Sequence, residues 1–118
     1  DMSLIEPLHL SSIEHPAEVS EVDELGLATT PSTLIKTPRL RDAPIAMECR
    51  FRQCLEFGHT KSRLVVGEVV MFHIRDDILK DGKIDTQKLN PICRLGGPRY
   101  AGLGDIITMQ PVAQTEKS

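Results

Sequence analysis

The sequence predicts a mainly β fold with short helices, on three features. Residues 45 to 57 sustain a period of two over 13 residues, a second strand-like run begins at Leu64, and every helical pattern is only one to three turns long. Glycine and proline punctuate the chain between these pieces, so they read as separate short elements joined by turns.

In order along the chain, Leu4, Ile5, Leu8 and His9 fall near helical spacing and predict a short helix over residues 2 to 11, with Pro7 inside it. It opens on Asp1-Met2 without a clear N-cap, which raises the expectation that sequence upstream is absent. Residues 12 to 20 are connecting loop, and Val22-Asp23-Glu24-Leu25 is one helical turn stopped by Gly26. Leu34-Ile35, between Pro31 and Pro38, fits a brief strand or extended segment. Ile45, Met47, Cys49, Phe51, Gln53, Leu55 and Phe57 then form one side of a long half-buried strand, on which Cys49 and Cys54 are expected to face opposite ways. Gly58-His59-Thr60 turns the chain into a second strand, Leu64 to Ile74, apolar on both faces, where Gly67 marks a bend or a close backbone approach. Asp76 to Lys83 is polar and turn-rich, Asp85 caps the turn Thr86 to Leu89, and Asn90-Pro91 ends it. Ile106 to Met109 is a last strand candidate, and Gln114 to Ser118 a polar tail.

Composition narrows the function classes. The 118 residues carry 14 bases and 17 acids, a formal charge of -3, which offers no general basic surface for nucleic acid. Aromatic residues are 3% with no Trp, so a base-stacking platform is absent as well. No apolar run is long enough to span a membrane and the start lacks the pattern of a signal peptide, so the chain reads as soluble and cytoplasmic. Cys49, Cys54 and Cys93 include no CxxC pair and fit reduced thiols. All seven acids of residues 1 to 35 stand there without a Lys or Arg, a pattern that fits a solvated acidic face.

These elements leave a physical difficulty. One long hairpin, one late strand and short helices supply too few strands to close a sheet, and an isolated hairpin is marginal in water. The hairpin is therefore expected to find partners in a second copy, another chain or upstream residues.

Four segments in order, Ala43 to Arg50, Leu64 to Ile74, Asp81 to Asp85 and Arg94 to Tyr100, after the lead-in Val22 to Leu27, resemble the flavin-reductase-like family of FMN-binding split-barrel proteins. The resemblance covers most of the chain as a single domain, residues 1 to 118, and is to the C-terminal part of the family domain. It implies part of an FMN-binding split β-barrel, a homodimer or complementing chain with FMN near the interface, and hydride transfer from NADH or NADPH to flavin. The alternative is a noncatalytic flavin-binding or dimerisation module. The N-terminal strands that supply most flavin phosphate contacts in the family have no counterpart here.

Gly96-Gly97 allows backbone to approach a ligand, and Arg94 and Arg99 suit phosphate or carboxylate. A surface turn with solvated arginines is the bland reading; with the resemblance, Arg94, Gly96, Gly97 and Tyr100 become the candidate flavin or nicotinamide contacts. His73, on the Val69 and Met71 face, is a further candidate beside its reading as a structural histidine. Glu48 and Glu68 are expected to pair with Arg50, Arg52 or Arg63 across the hairpin. Residues 77 to 85 lack the ligand spacing of a calcium loop, and no metal is assigned. No GxGxxG, Walker loop or nucleophile elbow occurs, so the catalytic residues stay unassigned and the enzyme reading rests on the resemblance.

Overall fold

The computed structural model describes residues 1 to 113; the tail at Gln114 to Ser118 lies outside them. A single 3-10 turn, Met2–Leu4, leads into helix α1, Ile5–Leu10. Asp1 caps that turn by accepting from the Ser3 amide, so the N-cap missed in the sequence is the first residue itself. Pro7 occupies the first turn of α1, where its missing N–H costs nothing. Helix α2, Glu21–Glu24, is capped by the Ser20 hydroxyl and carries Glu21, Asp23 and Glu24 at its positive end. Three of the acids in the lead-in thus complement a helix dipole.

Gly26 ends α2 at φ +63°, with its amide bonded to the Asp23 carbonyl and the Leu27 amide to the Val22 carbonyl. This is a Schellman ending, for which a left-handed residue is required. Since nothing lies within 4 Å of a Cβ at Gly26, Gly26→Ala is expected to cost only the backbone strain, about 1 kcal/mol, in urea unfolding.

Strands β1, Thr29–Thr30, and β2, Arg39–Leu40, pair antiparallel around residues 31 to 38. Leu34-Ile35 is not a strand. Thr33 to Thr37 bend continuously, because the amides of residues 33 to 35 turn toward a carboxylate instead of a neighbouring strand.

The long hairpin forms as the alternation predicts, from β3, Ile45–Phe57, and β4, Ser62–Ile74. Two irregularities interrupt its register, one between Glu48 and Cys49 and one between Phe51 and Gln53. The first leaves Val70 as an extra residue on β4 and the second leaves Arg52 extra on β3. A one-residue slip moves the following side chains to the other face. Ile45, Met47, Cys49 and Phe51 therefore share a face with Phe72 and Ile74, whereas Gln53, Leu55 and Phe57 share the opposite face with Leu64 and Val66. The seven-residue stripe is one side in sequence and two sides in space. Cys49 pairs with Val69 and Cys54 with Val65, four residues apart on one strand, so the two cysteines face the same way, which corrects the parity reading. All three thiols are free and exposed. Gly67 sits at this crossing, where a Cβ would come within 3.3 Å of the Cys49 Cβ, the close approach its sequence position indicates.

A 3-10 turn, Asp76–Ile78, follows, then β5, Leu79–Lys80, and β6, Lys83–Ile84. Asp81 and Gly82 between them both have positive φ, a primed turn that the Asp-Gly pair prescribes. Helix α3, Thr86–Leu89, is capped by Asp85 and closed by left-handed Asn90, as its sequence indicates. Strands β7, Cys93–Arg94, and β8, Tyr100–Ala101, make a last small hairpin. Ile106 to Met109 forms no strand; Ile107 and Met109 are 81% and 78% exposed, with no neighbour to pair with.

The described strands make four separate two-stranded sheets and no closed barrel. Only Pro44, Glu48 and Ile78 are buried among the described residues. The radius of gyration is 17.9 Å, against ~13.5 Å for a compact chain of this length. Exposed surface is 10087 Å², where a compact monomer of this mass shows ~6,400 Å². No helix among the described residues is long and apolar enough to cross a membrane.

Candidate functional site

The most constrained group in the molecule is Glu48, 1% exposed near the base of the long hairpin. Its Oε2 accepts the Thr33 amide at 2.7 Å, and its Oε1 accepts the Leu34 and Ile35 amides at 2.6 and 3.2 Å. Successive amides converging on an anion form a nest, here filled by the protein's own carboxylate. His73, two pairs further toward the open end of the hairpin and on the same face, adds Nε2 to Oε2. Burial pushes the Glu48 carboxyl up, but the Thr33 amide, His73 and the other two amides outweigh it and hold the group down at about 2. An ionised carboxylate only accepts, so Nε2 of His73 carries the hydrogen and Nδ1 is left for other partners. The expected cross-hairpin ion pair is made by Glu68 with Arg52; among the described residues Glu48 makes none with an arginine, its oxygens being taken by three amides and His73.

His73 also lines a cleft of about 220 Å³ with Arg39, Arg41 and Arg75, between β2 and the open end of the hairpin. Arg39 Nε is buried without a hydrogen-bond partner among the described residues, and the residue lines both this cleft and the larger cavity beside α1 and α2. Arg41 Nε is 3.2 Å from Asp42, and Arg75 Nε is 2.5 Å from Asp77. The Asp77 side chain, with Arg75 bonded to it, stays below the usual carboxylate range.

Arg94 and Tyr100 meet on the β7–β8 hairpin, and Gly96 and Gly97 form its turn. Arg94 Nη1 donates to the Tyr100 hydroxyl at 3.0 Å, and that hydroxyl is 3.0 Å from Nδ1 of His9, on α1. The Tyr100 oxygen accepts from Arg94, which leaves its hydrogen for His9. The Arg94 guanidinium also lies 5.1 Å from the Tyr100 ring centre. Arg99 turns back onto the Gly96 carbonyl at 3.4 Å. Gly97 has φ +62°, and neither glycine has an atom within 4 Å of a Cβ position, so the turn presents bare backbone to open space. No hydrogen bond or ion pair among the described residues joins this group to His73.

The sequence reading missed His9, Glu48 in its nest role, and the arginines around His73. His9 had a signal in its helical spacing, but its partner is 91 residues away. A second cavity, about 690 Å³, lies between α1, α2 and the β1–β2 pair and is lined by Leu4, Leu8, Val22, Leu25 and Leu40 among others. Among the described residues no group of three or more His, Cys, Asp or Glu is placed to hold a metal ion.

A mainly β chain built on one long hairpin, with polar clusters at its base and beside it, defines a split-barrel protein of which these residues are part. The chain belongs to the flavin reductase like domain family, whose model matches residues 6–88. It is similar to nitrilotriacetate monooxygenase component B of Bacillus cereus, with TM-score 0.86 and 30% identity over 92% of this chain and 56% of that one. A Shewanella frigidimarina protein described as a flavin reductase with split barrel domain shares the fold at TM-score 0.81 and 22% identity, over 96% of this chain and 57% of that one. An uncharacterized protein of Halalkalibacterium halodurans is 33% identical over 92% of this chain and 54% of its own length. The chain thus spans about half the length of the relatives it matches.

Proposed function

We propose that this chain is the C-terminal part of a flavin-binding oxidoreductase of flavin-reductase type, one that binds FMN and accepts hydride from NADH or NADPH when the barrel is complete. Membership of the flavin reductase like domain family carries this reading. The β7–β8 turn fits it: bare glycine backbone beside a guanidinium and a phenol suits a flat ligand with polar edges.

When bound, flavin supplies the ring that takes up and passes on hydride; the protein positions and tunes it. Arg94 offers a fixed positive charge, aimed by its bond to Tyr100, which His9 holds in turn. Gly96 and Gly97 let the main chain come close to a ring plane without a side chain between. His73, held in one tautomer by Glu48, presents Nδ1 as a polar contact.

The partner in this reading is a second copy of the chain or a complementing chain, with FMN near the interface. The surplus exposed surface and the apolar residues on both faces of the hairpin support it. The reading places the protein in the cytoplasm, in keeping with three exposed free thiols.

Native mass spectrometry of the full-length protein, followed by anaerobic addition of NADH or NADPH, tests the proposal. A dimer carrying FMN whose visible absorbance bleaches is the expected result. Tight FMN binding without bleaching would support the noncatalytic module, and an assembled protein without flavin affinity would overturn both. Tyr100→Phe is expected to weaken FMN binding roughly tenfold, since it releases the hydroxyl that aims Arg94, with unchanged far-UV circular dichroism.

A further inference from the structure

We infer that the cleft between β2 and the base of the long hairpin is an oxyanion site, formed by Arg39, Arg41 and Arg75 beside His73, that takes the phosphate group of a nucleotide cofactor. The naming of a nucleotide rests on the flavin reading above; the anion site itself rests on the cleft.

Three arginines and a histidine line one cavity of about 220 Å³. That is below the roughly 300–1,000 Å³ that hold a whole drug-sized ligand, so it takes one group of a larger molecule. Arg39 is the central observation. It stands on β2 opposite Thr30, with Nε shut off from water and unpartnered among the described residues. A buried donor without an acceptor is costly, and a guanidinium has a planar fork that fits a phosphate through two parallel hydrogen bonds.

The acids nearby do not fill this need. Asp42 takes Nε of Arg41 and Asp77 takes Nε of Arg75, while Asp1 stands 3.8 Å from Nη2 of Arg75, beyond a good hydrogen bond. Glu48 is occupied by three amides and His73. Arg41 and Arg75 thus keep terminal nitrogens, and their side chains are 63% and 45% exposed, free to close on an anion. This group of arginines on an acidic chain is thereby assembled from segments that the sequence separates by more than thirty residues.

The test uses the full-length protein and compares FMN with riboflavin, which lacks only the phosphate, and NADH with reduced nicotinamide riboside. Wild type is expected to bind FMN roughly tenfold or more tighter than riboflavin, the size of one charge-assisted hydrogen bond. Arg39→Gln is expected to bring FMN down to the riboflavin level and leave riboflavin unchanged. Because Arg39 is partly buried, Arg41→Gln, at an exposed position, serves as the second variant and is expected to lose part of the same difference. If NADH loses affinity in these variants while FMN and the riboside do not, the site holds and its phosphate belongs to the nicotinamide cofactor. If phosphate-bearing and phosphate-free ligands weaken in parallel, or neither variant alters any of them, the proposal falls. Should wild type bind no flavin, the flavin reading fails by itself. Inorganic phosphate titrated into wild type and Arg41→Gln, followed by arginine side-chain NMR shifts, then decides the anion site: saturation lost in the variant upholds it, and no saturation in wild type overturns it.

Discussion

Glu48→Ala is expected to unseat the loop at residues 33 to 37 and lower the thermal midpoint by roughly 10 °C or more, read by circular dichroism at neutral pH. The substitution strands the amides of Thr33, Leu34 and Ile35 and the His73 imidazole in a part-buried site. Glu48→Gln keeps the shape but sets an NH2 donor against other donors, so it recovers only part of the loss. The carboxyl is held at about 2 from an ordinary 4.5. A depressed acid stabilises the folded state above its unfolded value, so this contribution is full above about pH 4.5 and is lost as pH falls toward 2. The variants should therefore differ most from wild type at neutral pH and approach it in acid. A midpoint for Glu48→Ala within about 3 °C of wild type at neutral pH, the scale of a surface change, would show that the nest does not hold the loop.

Phe51→Asp is expected to raise the dissociation constant of the proposed dimer by roughly 30-fold or more, measured by sedimentation equilibrium on the full-length protein. Phe51 is 69% exposed, opposite Gly67, on the face that also carries Met47 and Phe72 at 57% and 58%. A monomer gains little by displaying three such side chains together, whereas a partner surface gains their burial. The charge introduced at an exposed position leaves the fold intact, so the monomer should keep its far-UV spectrum. Phe57→Asp, beyond the crossing on the opposite face, asks whether the tip of the hairpin is covered by the same partner. Wild type that sediments as a monomer at all concentrations would overturn the partner reading.

Much of the architecture was legible in the residues. Period-two alternation placed β3 to the residue, Gly26 and Asn90 marked helix ends, and Asp85 marked a beginning, because each is a local steric or hydrogen-bonding demand. Asp81-Gly82 carried the signal of a tight hairpin, though the segment reads as merely turn-rich. The strand expected at Ile106 to Met109 did not form, since apolar β-type residues make a strand only when another edge accepts their hydrogen bonds.

The site divides along the same line. Arg94, Gly96, Gly97 and Tyr100 lie close in sequence and on one small hairpin, so local reading found them together. Their link to His9, by contrast, closes over 91 residues.

By itself, the sequence determined where the long hairpin lies and how the short helices begin and end, since backbone sterics and side-chain alternation act between near neighbours. Only the tertiary structure decided which faces its apolar stripes occupy, because two bulges shift register without altering the residue pattern. It also decided that Glu48 binds a loop 13 to 15 residues upstream and a histidine 25 residues downstream, and that Arg39 and Arg75 line one cleft. Those meetings depend on how the chain returns on itself, and pairing over such distances is set by packing and hydrogen-bond satisfaction that no local pattern encodes.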